Sequence, residues 1–166
     1  MKKHFLRSSF AVCLLALLCL FAAPQASYAA SAASTSSPDA AIPASQLLQP
    51  AELAAILRSS SGEKPLVLQT GSHVLFAEAH IPGAEYAGAG AEDSGLQALR
   101  DRVKGLKRNQ FIVIYCGCCP WHMCPNIRPA YWQLQSLGFT HVKVLYLADN
   151  FGANWADKGY PVAKGR

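Results

Sequence analysis

Residues 111–128 read FIVIYCGCCPWHMCPNIR, and this stretch decides the fold. Residues 111–115 are a run of strand-forming residues that ends at Cys116. Beyond Asn126 the apolar residues recur at three- and four-residue spacing until Gly138, which is typical of an amphipathic helix that a glycine ends. The stretch therefore predicts a buried strand, a cysteine-rich loop and a helix whose amino end points back at the cysteines.

Cys116 stands at the point of this arrangement where a thiolate is stabilised. Backbone N–H groups of a loop and the positive end of a helix dipole both favour negative charge. A thiol whose pKa is lowered in this way is nucleophilic near neutral pH. Cys116 is therefore the candidate catalytic residue. The alternative is an inert cysteine buried at the end of a core strand.

The first 29 residues have the pattern of a secretory signal peptide. Three basic residues precede an apolar stretch over 10–23, and a small-x-small sequence at 27–29 predicts cleavage before Ala30. The apolar stretch is shorter than the ~20 residues that a membrane-spanning helix needs, so a cleaved signal is favoured over an anchor. We therefore expect a periplasmic or secreted protein.

Much of the basic charge of the chain belongs to that signal. The 166 residues carry 15 Lys and Arg against 10 Asp and Glu, a net charge of +5. Three of the basic residues and none of the acidic ones lie in residues 1–29, which leaves 12 against 10 and a net charge of +2. The sequence has no basic cluster interleaved with aromatic residues, so we expect no nucleic-acid partner and, after signal cleavage, no membrane partner.

The rest of the chain predicts one α/β domain. Residues 30–45 are rich in Ala, Ser and Pro and predict a flexible leader to a domain over 46–164. Strands separated by helices imply a doubly wound parallel sheet with helices on both faces. The predicted strands are 66–68, 111–115 and 142–147. The first predicted helix begins at Pro50 and is closed by Gly62. The other predicted helices begin at about Val74, at Leu96, after Asn126 and at Phe151.

The four cysteines of the mature chain are clustered, at 116, 118, 119 and 124. A disulfide-stapled fold spreads its cysteines along the chain, so this domain must rest on its hydrophobic core. Three interpretations of Cys118, Cys119 and Cys124 stay open. A disulfide such as Cys119–Cys124 would clip the loop, resolving thiols would make a thiol–disulfide redox centre, and thiolates with His122 would bind copper(I) or zinc.

Three motifs of this chain resemble the signatures of the rhodanese-like (sulfurtransferase) domain family. His80-Ile81-Pro82-Gly83-Ala84 is similar to the first signature of the family. The block from the strand through Cys116 to Leu137-Gly138-Phe139 is similar to its active-site element, and Trp155 with Gly159-Tyr160-Pro161-Val162 is similar to its closing signature. The resemblance implies a rhodanese-like fold over nearly all of the mature chain, with His80 holding a turn.

The resemblance also implies a reaction. A thiolate on Cys116 takes the outer sulfur of a small donor, becomes a persulfide and passes the sulfur to a thiol acceptor. The family usually has Asp-x-Arg where this chain has Gln69-Thr70-Gly71, and the loop after Cys116 is longer than the family pattern. Loop length in this family goes with the size of the bound oxyanion, so the longer loop disfavours a thiosulfate-type donor.

Further residues of the loop are candidates for substrate binding. Arg128 begins the helix and either binds anionic oxygens of the donor or is merely exposed. Trp121 and Gly117 are candidates for the pocket wall, and His122 is a candidate ligand or acid/base group, with loop packing as the alternative for Trp121 and His122. We expect a monomer without a cofactor, and a redox protein as a further partner. The competing function is a non-catalytic module whose cysteine loop binds metal or acts as a thiol–disulfide centre.

Overall fold

The centre of the sheet is the predicted strand, β4 (Ile112–Tyr115), whose side chains are all buried. The computed structural model describes residues 41–165, so the predicted signal peptide and most of the predicted leader lie outside the described residues. Five strands form one sheet: β1 (Leu47–Leu48), β2 (Leu66–Gln69), β3 (Glu85–Tyr86), β4 and β5 (Val142–Leu145). Every pairing is parallel, and the spatial order is β1-β5-β4-β2-β3.

Alternation along β4 divides the core between the two faces of the sheet. Ile112 and Ile114 belong to one buried cluster, and Val113 and Tyr115 belong to the other. Successive side chains of a strand point to opposite faces, and a strand covered on both faces reads as an uninterrupted apolar run. Burying an aliphatic side chain of this size stabilises the fold by roughly 1.5–3 kcal/mol, so this short run is the main anchor of the sheet.

Helices cover both faces, which confirms the predicted doubly wound fold. The helices are α1 (Pro50–Arg58), α2 (His73–Glu78), α3 (Asp93–Val103), α4 (Ile127–Ser136) and α5 (Phe151–Asn154). Side chains of α3 and α4 pack in the cluster with Ile112, and side chains of α1 and α5 pack in the cluster with Val113. None of these helices, nor any other in the described residues, is long and apolar enough to cross a membrane.

The helix ends follow the sequence signals closely. Pro50 is the first residue of α1, where its missing N–H costs nothing, and Glu52 closes a capping box by accepting from the Gln49 backbone N–H at 2.7 Å. Gly138, at φ +83°, follows the end of α4, as predicted. The prediction that Gly62 ends the first helix was wrong: α1 ends at Arg58, where Ser59 is its carboxyl cap.

The first and last motifs of the chain meet in space. The backbone N–H and C=O of His80 pair with Ala163 at 3.0 and 2.9 Å, and the His80 ring nitrogen Nδ1 lies 2.8 Å from the Phe76 carbonyl oxygen. Trp155 is 1% exposed and donates its indole N–H to the Pro161 carbonyl at 2.8 Å. These contacts tie the closing segment to the turn after α2.

Candidate active site at the carboxyl end of the central strand

The cysteine loop begins where the strand order reverses. From β2 the chain moves outward to β3, whereas from β4 it moves in the opposite direction to β5. The crevice between the carboxyl ends of two such strands is where open parallel sheets bind ligands. Gln69 ends β2 and Cys116 follows β4, so these two residues border the crevice.

Cys116 lines a cleft of about 320 Å³. Its side chain is 5% exposed and continues the alternation of Ile112 and Ile114 toward the face that α3 and α4 cover. Gly117 and Cys118 line the same cleft, so the structure brings three of the predicted site residues together. Residues of α2 and α5 line it as well: Leu75, Glu78, Phe151 and Gly152.

The sulfur atoms of the loop lie close together as free thiols. The Sγ atoms of Cys116 and Cys118 are 3.2 Å apart, and those of Cys118 and Cys119 are 2.9 Å apart. Cys124 is buried, and its Sγ lies within 4.8 Å of the sulfurs of Cys116 and Cys118. The pair that we singled out for a disulfide, Cys119 and Cys124, is unbonded in this structure.

The electrostatics of the site favour a thiolate on Cys124. A hydrogen bond from the Cys116 thiol, together with the backbone N–H groups of Asn126 and Ile127 at the start of α4, lowers the pKa of Cys124 to about 6, although burial opposes this shift. The hydrogen bond to Cys124, with burial, holds the pKa of Cys116 far above its usual range. Burial, with the neighbouring Cys118 thiol, raises the pKa of Cys119 to about 12.

This distribution differs from the activation that the sequence suggested for Cys116. Two interacting thiols lose their protons one after the other, and the first charge settles where the N–H donors converge. In this structure that place is Cys124, beside the amino end of α4, and Cys116 keeps its proton in the resting pair. The strand-end cysteine thus lines the cleft, and Cys124 holds the negative charge.

Asn126 is a site residue that the sequence analysis passed over. Its side chain is 8% exposed, and its Nδ2 lies 3.4 Å from the Cys116 Sγ and 3.8 Å from the Cys118 Sγ. Its Oδ1 accepts a hydrogen bond of 2.9 Å from the Ala91 backbone N–H. One amide therefore fixes the sulfurs relative to the segment before α3. An asparagine directly before a helix was the available signal, but the distant partner was not visible in the sequence.

Gln69 and Gly71 shape the other side of Cys116. The Gln69 side chain donates to the Cys116 carbonyl at 3.2 Å and accepts from the Gly71 backbone N–H at 3.1 Å. A Cβ atom on Gly71 would lie 2.7 Å from the Cys116 Sγ, closer than real contacts of this kind. The Gln-Thr-Gly sequence, which departs from the family's Asp-x-Arg, therefore makes room for the sulfur and holds its backbone.

Three of the predicted site residues lie around a second cleft. Trp121, His122 and Arg128 line a cleft of about 140 Å³ with Ile42 and Leu47. Arg128 and His122 are exposed and do not line the cleft of Cys116. Trp121 packs edge to face against Tyr146, with ring centroids 5.1 Å apart. The structure therefore separates the predicted anion-binding arginine from the predicted nucleophile.

The cleft of Cys116 carries little positive charge. Glu78 is the charged residue that lines it, and in the part of the chain that the structure describes no lysine or arginine does so. The helix amino end and the backbone N–H groups near Cys124 are therefore the sources of positive potential at this site. That arrangement suits one thiolate better than a dianionic donor.

Solved structures with a similar fold include a rhodanese-like domain. The Alr3790 protein from Anabaena sp. is 21% identical, with a TM-score of 0.55 over 71% of this chain and 92% of that one. The rhodanese-like domain of the same protein gives a TM-score of 0.53 at 21% identity, over 72% of this chain and 79% of that one. The BH2092 protein from Bacillus halodurans gives a TM-score of 0.56 at 23% identity, over 72% of this chain and 77% of that one. No protein-family model and no curated protein matches the chain. The chain has the rhodanese-like fold, as the three sequence motifs predicted.

Proposed function

We propose that this protein is a sulfurtransferase that carries sulfane sulfur as a persulfide on Cys116. One observation carries the proposal: Cys116 lines the cleft at the strand-order reversal, and its sulfur lies within 4.8 Å of the Cys124 sulfur, whose pKa is lowered. A nucleophile beside a base, opening on a crevice, is the arrangement that covalent catalysis needs. The rhodanese-like fold agrees with this chemistry, although a fold alone does not define an activity.

Activation of Cys116 follows from the shared proton. The Cys124 sulfur lies within 4.8 Å of the Cys116 sulfur and its pKa is low, so the Cys116 proton has an acceptor close by. As Cys116 attacks, the proton moves to the Cys124 Sγ and the negative charge moves to the reacting sulfur. Cys124 acts here as a general base, a role that typically contributes about 10²–10⁴-fold in rate. Asn126 stays in place as an N–H donor to the Cys116 sulfur throughout.

The sulfur transfer itself is two displacements at divalent sulfur. The Cys116 thiolate attacks the outer sulfur of a donor R–S–S⁻; a new sulfur–sulfur bond forms on Cys116, the donor's bond breaks and R–S⁻ leaves. An acceptor thiolate then attacks the outer sulfur of the Cys116 persulfide, and Cys116 leaves as a thiolate. No external oxidant or reductant is consumed, because one sulfane sulfur moves between two thiols.

The charges of the cleft favour a low-molecular-weight persulfide as the donor. Glu78 repels a dianion such as thiosulfate, and Arg128 lies at the other cleft and does not offset this repulsion. Residues 1–29 have the pattern of a signal peptide, so we place the reaction outside the cytoplasm. The acceptor in this proposal is a small thiol or the thiol of a redox protein.

Sulfur transfer by the reduced, metal-free mature chain tests the proposal. The chain is incubated with cysteine persulfide, which carries a single net negative charge, and transfer to a second thiol is followed over time. We expect turnover by the wild type and by Met123→Ala, which alters an exposed side chain of the same loop, and none by Cys116→Ser. Turnover by Cys116→Ser at the wild-type rate would contradict the proposal, as would a folded wild type without turnover.

A thiol–disulfide centre is the second candidate, because the Cys118 Sγ lies 3.2 Å from the Cys116 Sγ. Here a substrate disulfide first forms a mixed disulfide with Cys116. Cys118 then attacks the Cys116 sulfur, releases the substrate thiol and leaves a Cys116–Cys118 disulfide. The product chain is about 2 Da lighter than the reduced chain, whereas a persulfide adds about 32 Da, so intact mass after reaction separates the two functions.

A further inference from the structure

Three sulfur atoms of the loop have the spacing of a metal site. The Sγ atoms of Cys116, Cys118 and Cys124 all lie within 4.8 Å of one another, and the pair Cys116–Cys118 is 3.2 Å apart. A metal ion in a trigonal plane of thiolates, with bonds of about 2.3 Å, separates its ligands by about 4 Å. That separation falls within the observed range, so an ion needs only a small rearrangement of the loop.

The chemistry of these ligands favours a soft, low-coordinate ion. All three are thiols, and among residues 41–165 no histidine or carboxylate joins this group. Thiolates select soft ions such as copper(I) and zinc; three sulfurs complete the coordination of copper(I), whereas zinc needs a fourth ligand and calcium or magnesium takes oxygen. His122, which the sequence offered as a ligand, is exposed and lies in the second cleft.

The surroundings of the sulfurs suit metal-bound thiolates. The Asn126 side chain directs its Nδ2 at the sulfurs of both Cys116 and Cys118, at 3.4 and 3.8 Å. The backbone N–H groups of Asn126 and Ile127 face the Cys124 sulfur. Such outer donors orient the ligands of a metal and balance their charge. Cys116 and Cys124 are each 5% exposed, which shields a bound ion from water.

We propose that Cys116, Cys118 and Cys124 form a three-sulfur site for copper(I). Binding displaces the thiol protons that remain on the three sulfurs, which pass to the solvent, and copper stays in its +1 state, so no redox partner is needed. Because Cys116 belongs to both sites, a bound copper ion blocks persulfide formation. The inference rests on the positions of the sulfurs and not on the proposed sulfur transfer.

Competition for copper(I) tests the site. The reduced mature chain is titrated without oxygen against bicinchoninate, a coloured copper(I) chelator, in the absence of any sulfur donor. We expect one tightly bound ion per chain. Cys118→Ser and Cys124→Ser are each expected to weaken copper(I) binding by about tenfold or more, because each removes a ligand, and loss of a group that supports a ligand already weakens metal binding by about this much. Cys119→Ser is the matched control, expected to stay within about threefold because three thiolates remain.

X-ray absorption of the copper-loaded chain gives an independent result, with three sulfur neighbours expected at about 2.3 Å. The proposal fails if bicinchoninate removes all copper from the wild type. It also fails if Cys119→Ser loses as much affinity as Cys118→Ser, or if the copper has two or four sulfur neighbours. The sulfur-transfer assay uses metal-free protein, so either proposal can fail while the other stands.

Discussion

Replacing Asn126 by aspartate tests how the thiolate at this site is stabilised. The change keeps the shape of the side chain and an oxygen that accepts from the Ala91 N–H. It replaces the N–H donor, which lies 3.4 Å from the Cys116 sulfur and 3.8 Å from the Cys118 sulfur, with a carboxylate oxygen. The sulfur cluster loses a donor and gains a negative neighbour.

The expected effect is a rise in the pH at which the thiolate forms. The new carboxylate oxygen lies about 3.4 Å from the Cys116 sulfur, which is within 4.8 Å of the Cys124 sulfur, so at most about 8 Å separate it from the thiolate. At that distance and an effective dielectric constant of about 20, two unit negative charges repel by about 2 kcal/mol, and 1.36 kcal/mol corresponds to about one pKa unit. The first thiol titration is therefore expected to move up by about 1–2 units from the value of about 6 at Cys124.

Ultraviolet absorbance of the thiolate against pH, on the reduced, metal-free chain, measures the change. Asn109→Asp is the matched control, because it adds the same charge at an exposed turn. Far-ultraviolet circular dichroism at each pH checks that the variant stays folded. A folded Asn126→Asp variant whose titration stays within about 0.3 unit of wild type would refute this account of the thiolate, since a negative charge at this distance predicts a larger shift.

Four further outcomes are expected. The rate of sulfur transfer should rise with pH through about 6, because Cys124 accepts a proton only as a thiolate. In a pH–rate profile, Cys124→Ser should move that rise toward the ordinary thiol pKa of 9.0. Gly117→Ala should lower the free energy of unfolding in urea by about 2 kcal/mol or more, because φ is +75° and the new Cβ would lie 2.7 Å from the Phe151 Cβ. Gly83→Ala, at φ +80° in open space, should lower it by about half as much. Reduction should leave the cooperative thermal unfolding in place, because the core holds the fold. Amino-terminal sequencing of the exported protein should begin near Ala30, and a mature chain that keeps residues 1–23 would contradict export with cleavage.

The fold was predictable where sequence patterns are long. The apolar run of β4 and the helical spacing of α4 identified the central unit, and three ordered motifs gave the rhodanese-like fold. The edge strands β1 (Leu47–Leu48) and β3 (Glu85–Tyr86) were missed, because two residues show no periodicity. These strands exist because the neighbouring strands offer unpaired backbone groups, which is a property of the assembled sheet.

The site was less predictable because it depends on contacts between distant segments. The sequence placed Cys116 at the strand end, and the structure puts it in the crevice. The sequence did not reveal that Asn126 reaches both the sulfurs and Ala91, because that contact needs the segment before α3 to approach α4. The position of the resting thiolate depends on whether the sulfur of Cys116 or that of Cys124 lies at the amino end of α4. The conformation of the loop decides this, and the sequence does not reveal it.

The position of the added sulfur shows which cysteine carries it. The reduced, metal-free chain is treated with cysteine persulfide, its sulfur species are trapped by alkylation, and peptides spanning Cys116 to Cys124 are sequenced by tandem mass spectrometry. We expect one added sulfur, about 32 Da, on Cys116 in the wild type, and a folded Cys116→Ser chain that gains none. Added sulfur on Cys124, or an undiminished gain in Cys116→Ser, would contradict Cys116 as the residue that carries the sulfur.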